Sequence, residues 1–88
     1  MPDHNHIDSE YLDQIFPEEK LTNRQKQDAL LYAMGTSLSE LAELNHLHVD
    51  TVRKQLNDTS VTISGCSEIK NLRTVTLIRL FNRILIKL

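Results

Sequence analysis

The chain has 88 residues, 40% of them hydrophobic and 25% charged, and its formal net charge is −2. This length supports one small domain with a modest core, and no apolar run reaches the roughly 18 residues of a membrane span. The first residues lack the basic end and apolar stretch of a signal peptide, and the single cysteine, Cys66, has no partner for an internal disulfide. These features argue against a secreted disulfide scaffold and predict a cytoplasmic protein without a membrane segment.

The charge divides sharply at residue 20. Residues 1–19 carry six acidic side chains and no lysine or arginine, whereas residues 20–88 carry all ten basic side chains and six acidic ones. The first part is therefore −6 and the second +4. Only the second part has the sign that nucleic acid requires, and its mild excess predicts a moderate affinity that falls with salt.

The first predicted element is a short amphipathic helix inside the acidic arm. Its apolar positions recur at helical spacing and are Ile7, Tyr11, Leu12 and Ile15. Asp8 or Ser9 is the candidate N-cap, and the helix should end near Phe16-Pro17, since the residue before proline resists helical geometry. A partly ordered arm is the alternative, and residues 1–6 are expected to form a loose tail.

Two capping boxes mark the starts of the next two helices. The pairs are Thr22 with Gln25 and Ser37 with Glu40. In each pair the two side chains satisfy free backbone N–H groups at the helix end. The first of these helices should run to Gly35 as a left-handed stop, and the second should end near Asn45-His46.

A third helix should begin around Val49 or Asp50. The segment 59–63 is rich in β-branched residues and forms helix poorly, so the helix is expected to end there, or at Gly65 at the latest. Residues 66–71 are expected to form a loop.

The last helix, about residues 72–87, is apolar around more than half of its circumference. Its polar stripe is Thr76, Arg79, Arg83 and Lys87. A surface helix of a small domain needs only one apolar face, so the surplus predicts a second partner surface.

The stretch from residue 21 to residue 56 carries the most distinctive order of residues in the chain. Its marked positions are Leu21-Thr22-Asn23-Arg24-Gln25, Gly35, Ser37-Leu38-Ser39-Glu40-Leu41-Ala42, Leu47, Thr51-Val52 and Leu56. With no gap needed, this order resembles the DNA-binding domain of the LuxR/FixJ/GerE family. The resemblance implies an all-α, four-helix domain of helix-turn-helix type over residues 20–88, with residues 1–19 as a short helical or flexible arm. Its third helix, around residues 49–60, would enter the major groove.

The same resemblance implies a bacterial, sequence-specific transcription regulator that binds double-stranded DNA without a metal or cofactor. In the family, the residues that match Arg53, Lys54 and Asn57 contact bases. Arginine and lysine donate to guanine O6 and N7, and asparagine pairs with adenine. Thr51 and the helix N-terminus suit a phosphate oxygen. The plainer alternative is that these four side chains form an ordinary solvated helix face.

Several positions have structural roles or depart from the family pattern. Ala42 is expected to be small because two helices cross closely there, and Leu47 is expected to plug the turn into the core. His46 stands where glycine is usual, Asn45 where an apolar residue is usual, and Asp28 where a core valine or isoleucine is common. These changes would suit a domain that has drifted toward binding protein.

The fourth helix of the family pairs two subunits, which implies a homodimer here. The implied interface residues are Leu77, Phe81, Ile84 and Leu88. A dimer would place two third helices on successive major grooves, roughly 34 Å apart. The alternative is a core helix that only closes the domain.

Catalysis is not expected, because the sequence has no Gly-rich phosphate loop, nucleophile elbow or paired-carboxylate site. His46 and His48 share a turn with Asp50 but lack a convincing further metal ligand. The acidic arm is either a surface for RNA polymerase or a mask folded over the basic face. A second class of function is a protein-interaction adaptor or anti-regulator that binds another regulator. A β-hairpin around residues 61–63 and after Gly65 would instead make a winged variant.

Overall fold

The computed structural model describes residues 8–87, with side chains through residue 86, and it has five α-helices and no strand in that range. The helices are α1 (Ser9–Ile15), α2 (Asn23–Ala33), α3 (Leu38–Asn45), α4 (Val49–Ser64) and α5 (Ile69–Lys87). The predicted all-α class is therefore confirmed. The predicted tail, residues 1–6, and the predicted positions Ile7 and Leu88 lie outside the described residues.

Local capping signals place the starts of the first three helices where the sequence predicts them. Asp8 accepts the N–H of Glu10 at 2.9 Å and caps α1, which ends at Phe16 before Pro17. Both capping boxes are formed in full, at the starts of α2 and α3. Gly35 has φ 113° just after the C-cap of α2, as expected of a left-handed stop.

One core joins all five helices. Its members are Leu12, Ile15, Phe16, Leu21, Ala29, Leu30, Leu41, Ala42, Val52, Leu56 and Leu72. Three of these side chains come from α1 and its C-cap, and Phe16 is the largest fully buried side chain among them. The described part of the acidic arm is therefore part of the same core as the basic part of the chain, and the charge boundary at residue 20 is not a boundary between two cores.

Polar contacts fasten α1 to α2 and α5. The buried Lys26 bonds Asp13 at 2.7 Å across α1 and α2. Arg79 of α5 donates to both carboxylate oxygens of Glu18, at 2.9 and 2.6 Å, and to the carbonyl of Ile15 at 3.2 Å. The hydrogen bonds from Arg79 lower the pKa of Glu18, so this contact holds an ionised carboxylate at neutral pH.

The C-terminal half of α4 follows the longer of its two predicted extents. The helix does not end in the β-branched segment but continues to Ser64 and stops at Gly65, which is left-handed at φ 76°. Ser60 is buried, and its hydroxyl points to the carbonyls of Cys66 and Glu68, the latter at 3.0 Å. This tertiary contact overrides the weak helix propensity. The winged variant is therefore wrong, and the connecting loop is shorter than predicted because α5 already begins at Ile69.

The two halves of α5 have different surroundings. The first half buries Leu72 and Thr76 against the core. The second half exposes a series of apolar side chains: Ile78, Phe81, Ile84, Leu85 and Ile86. Within residues 8–87 no helix combines the length and apolarity needed to cross a membrane.

Candidate nucleic-acid interface

Helices α3 and α4 are consecutive, pack against each other and are joined by the short turn 46–48, the segment for which the sequence predicts a helix-turn-helix. The start of α3 is fixed by Ser37 and Glu40, each accepting the other's backbone N–H at 3.1 Å. The hydrogen bonds from Ser37 lower the pKa of Glu40. His48 caps α4, its Nδ1 accepting the N–H of Asp50 at 3.3 Å. The starts of α3 and α4 are therefore both capped by side chains.

The turn between α3 and α4 places His46 in the left-handed region, at φ 55° and ψ 43°. The LuxR pattern has glycine at this position, and His46 adopts the left-handed backbone conformation that glycine favours. A side chain at such a position strains the backbone, because Cβ approaches the following carbonyl oxygen.

Replacing His46 with glycine should relieve that strain. We expect His46→Gly to raise the free energy of unfolding by about 0.5–1 kcal/mol, measured by urea denaturation. His48→Gly is the control, since His48 has φ −74° and glycine relieves no strain there; because the substitution also removes the N-cap side chain of α4, it should lower the free energy of unfolding slightly. Equal effects of the two substitutions would contradict strain at His46.

Leu47 does not plug the turn into the core as predicted, because its side chain is 39% exposed. The turn is closed instead by the backbone, where the N–H of Leu47 donates to the carbonyl of Ala42 at 2.9 Å. Leu41 and Val52, both fully buried, fill the core on the two sides of the turn. The prediction for Ala42 agrees with the structure, since this small residue is buried in the core.

The two polar departures, Asp28 and Asn45, form a pair. Asp28 is 4% exposed, and its carboxylate accepts the side-chain N–H of Asn45 at 3.0 Å. The carbonyl oxygen of the same Asn45 side chain accepts from Arg24 at 2.8 Å. Burial raises the pKa of Asp28, while Asn45 and Arg24 act in the opposite direction. A polar chain thus links α2 to the end of α3, where an apolar contact was expected.

The four predicted DNA-contacting residues lie on α4, on the side away from the core. Thr51, Arg53 and Lys54 are exposed, and Asn57 is half-buried. Arg53 donates to Asp50 at 3.1 Å on the same helix. These side chains therefore lie on one surface of α4, and Arg53 forms an ion pair with Asp50 on that surface.

The charge of α4 was not anticipated from the sequence. Its two cations, Arg53 and Lys54, are matched by two anions, Asp50 and Asp58. The excess of positive charge in residues 20–88 is therefore located elsewhere, mainly on α5. The signal was available in the sequence, since it only requires the charges to be divided by helix.

The predicted dimer surface on α5 is exposed in part. Phe81 and Ile84 are exposed, whereas Leu77 is half-buried. Sequence reasoning missed Ile78 and Leu85, which are exposed and share a side of the helix with Phe81. The register of the exposed face is set by which turns pack against the core, and periodicity alone does not give that register.

Helix α1 does not cover the candidate interface. It packs against α2 and α5, and its backbone does not come close to that of α4. The hypothesis that the arm masks the basic face is therefore wrong for α1.

Comparisons with known proteins give no relative to which the chain is similar. No family model, no curated protein and no solved structure matches it. In residues 8–87, no group of three or more His, Cys, Asp or Glu side chains is arranged to hold a metal ion.

Proposed function

We propose that the protein is a sequence-specific DNA-binding transcription regulator with a LuxR-type helix-turn-helix domain. The observation that carries this proposal is the arrangement of α4, which buries Val52 and Leu56 and exposes Thr51, Arg53 and Lys54. A helix anchored on one side with free donors on the other is what major-groove recognition requires. The domain is an element of transcription control and no catalytic step is assigned to it.

Each of the four side chains has a distinct role in the proposed complex. Arg53 and Lys54 donate to guanine O6 and N7, Asn57 pairs with adenine, and Thr51 binds a phosphate oxygen. Arg53 must first leave Asp50. That exchange is feasible because an exposed ion pair contributes only about 0–1 kcal/mol.

The proposal includes a homodimer formed through the exposed end of α5. Phe81 and Ile84 lie on its apolar surface, together with Ile78 and Leu85. A second copy packed there would place two α4 helices on one side of the DNA. The bound sequences should then contain an inverted repeat with half-sites about one helical turn apart.

Selection of bound duplexes from random DNA tests both parts of this proposal. We expect a recurrent inverted repeat, and for the selected duplex we expect Lys54→Ala to weaken binding by about tenfold or more in fluorescence anisotropy. Lys20→Ala is the control, since Lys20 is exposed but lies outside the helix-turn-helix. Absence of binding at low salt, or equal affinity for unselected DNA, would contradict the proposal.

A second function is favoured by the balanced charge of α4. In this alternative the domain is a protein-interaction adaptor or anti-regulator that engages another regulator through the exposed apolar end of α5. A helix with equal numbers of cations and anions gains little from phosphates. The adaptor is supported if the selection yields no enriched sequence and the protein shows no salt-dependent DNA binding.

A further inference from the structure

A shallow groove lies between the C-terminal half of α2 and the outer face of α3. It is open to solvent, has a volume of about 520 Å³ and is lined by Leu31, Thr36, Glu40, Glu43 and Leu44. None of these residues belongs to α4. An occupant of this α2–α3 groove would therefore leave the candidate DNA-contacting face free.

Apolar side chains form part of the groove and of its surroundings. Leu44 is 40% exposed and Leu31 is half-buried. Met34, at the C-cap of α2 and two residues before Thr36, is 66% exposed. A concave surface with accessible leucines accommodates an apolar anchor.

The groove also carries negative charge without a compensating cation. Helix α3 has no lysine or arginine, and no ion pair among residues 8–86 involves Glu40 or Glu43. Glu40 accepts the N–H of Ser37, and the lowered pKa that results keeps its carboxylate ionised at neutral pH. Two carboxylates beside two leucines repel phosphate and attract a cationic, partly apolar partner.

We propose that the α2–α3 groove binds a basic amphipathic helix of a partner protein. An apolar residue of that helix packs against Leu31 and Leu44, and its lysines or arginines lie beside Glu40 and Glu43. This is helix-in-groove recognition with charge complementarity at the border. Residues 1–7 contain no lysine or arginine, so the first residues of the chain do not supply these cations. The inference does not depend on DNA binding by α4.

A synthetic helical peptide with leucines on one face and lysines on both flanks is the probe. It is titrated into the full chain while amide chemical shifts are recorded by NMR and affinity is measured by fluorescence anisotropy. We expect the largest shifts at the five residues that line the groove. A peptide in which glutamates replace the lysines should bind much more weakly.

The double variant Glu40→Gln/Glu43→Gln tests whether peptide binding depends on these two carboxylates or only on the overall negative charge of the protein. Glutamine at position 40 keeps the capping box, so the helix is retained while two charges are removed. We expect the affinity for the lysine peptide to fall about tenfold and its salt dependence to decrease. Leu44→Ala should weaken binding as well. Glu10→Gln, an exposed carboxylate on α1, is the matched control and should bind like the unmodified chain.

Four outcomes would overturn the proposal. They are shifts centred outside the groove, unchanged affinity of the double variant, and equal binding of the glutamate peptide. The fourth is a change in the amide chemical shifts of the groove residues, without peptide, when a DNA duplex is added or the protein concentration is raised. The last would assign the surface to nucleic acid or to a second copy of the chain.

Discussion

Replacing Phe16 with alanine should lower the free energy of unfolding by about 3–5 kcal/mol, measured by urea denaturation monitored by circular dichroism. Phe16 is the largest fully buried side chain, and it lies at the C-cap of α1 inside the core shared by all five helices. A domain of this size has only about 4–13 kcal/mol of stability in total. The substitution should therefore remove a large share of it.

Tyr11→Ala is the matched control for Phe16→Ala. Tyr11 is an aromatic residue of the same helix, but it is 38% exposed. Its removal should cost well under half as much, because less apolar area is lost and no closed cavity is left. If the two substitutions had equally small effects, α1 would not be part of the core in solution.

The position of α1 changes how the acidic arm must be tested. Deleting residues 1–19 would remove Leu12, Ile15 and Phe16 from the core along with the charge. If such a truncation lost DNA binding, the cause would be unfolding of the domain and not the loss of the acidic charges. Substitution of the exposed Glu10 leaves the core intact and tests the charge alone.

Helix starts were predictable because their signals are local. A capping box needs two side chains three residues apart, and both boxes formed as expected at Thr22 and Ser37. For the end of α4 the sequence left two alternatives, the β-branched segment and Gly65, and local signals did not decide between them. The hydroxyl of Ser60 finds its partners at Cys66 and Glu68, in a loop whose position depends on α5.

The exposed face of α4 and its balanced charge could both be derived from the sequence, whereas the side-chain contacts on that face could not. Burial of Val52 and Leu56 follows from their spacing, and the opposite face is then exposed. Engagement of Arg53 by Asp50 depends on side-chain geometry that spacing only permits. Likewise, which side chains of α5 are exposed depends on which of its turns pack against the core.

Asp28 and Asn45 show the same limit most clearly. Each is visible in the sequence as a polar residue at a position expected to be apolar, and the two are 17 residues apart. Only the crossing of α2 and α3 brings them to 3.0 Å. The two polar residues satisfy each other's hydrogen-bonding groups, so their burial is compatible with a stable fold.

Asn45→Leu should lower the free energy of unfolding by about 2–3 kcal/mol at neutral pH, because it leaves the buried carboxylate of Asp28 without its donor. The double variant Asp28→Val/Asn45→Leu should recover most of that loss, since two apolar side chains then meet where the polar pair stood. The expected coupling energy in a double-mutant cycle is about 1–3 kcal/mol. Asn82→Leu, at an exposed position, is the control and should show no coupling to Asp28→Val.

The pH dependence of Asn45→Leu distinguishes a buried charge from a simple packing defect. Burial already raises the pKa of Asp28 above its ordinary value of 3.8, and loss of the Asn45 donor should raise it further. The folded state then holds a proton that the unfolded state has released, so stability falls as the pH rises from the unfolded to the folded pKa. The stability difference between Asn45→Leu and the unmodified chain should therefore shrink on acidification and be smallest below 3.8, where Asp28 is protonated in the folded and unfolded states of both chains. A difference that stays constant with pH would assign the loss to packing and leave the carboxylate of Asp28 without an energetic role in holding α2 against α3.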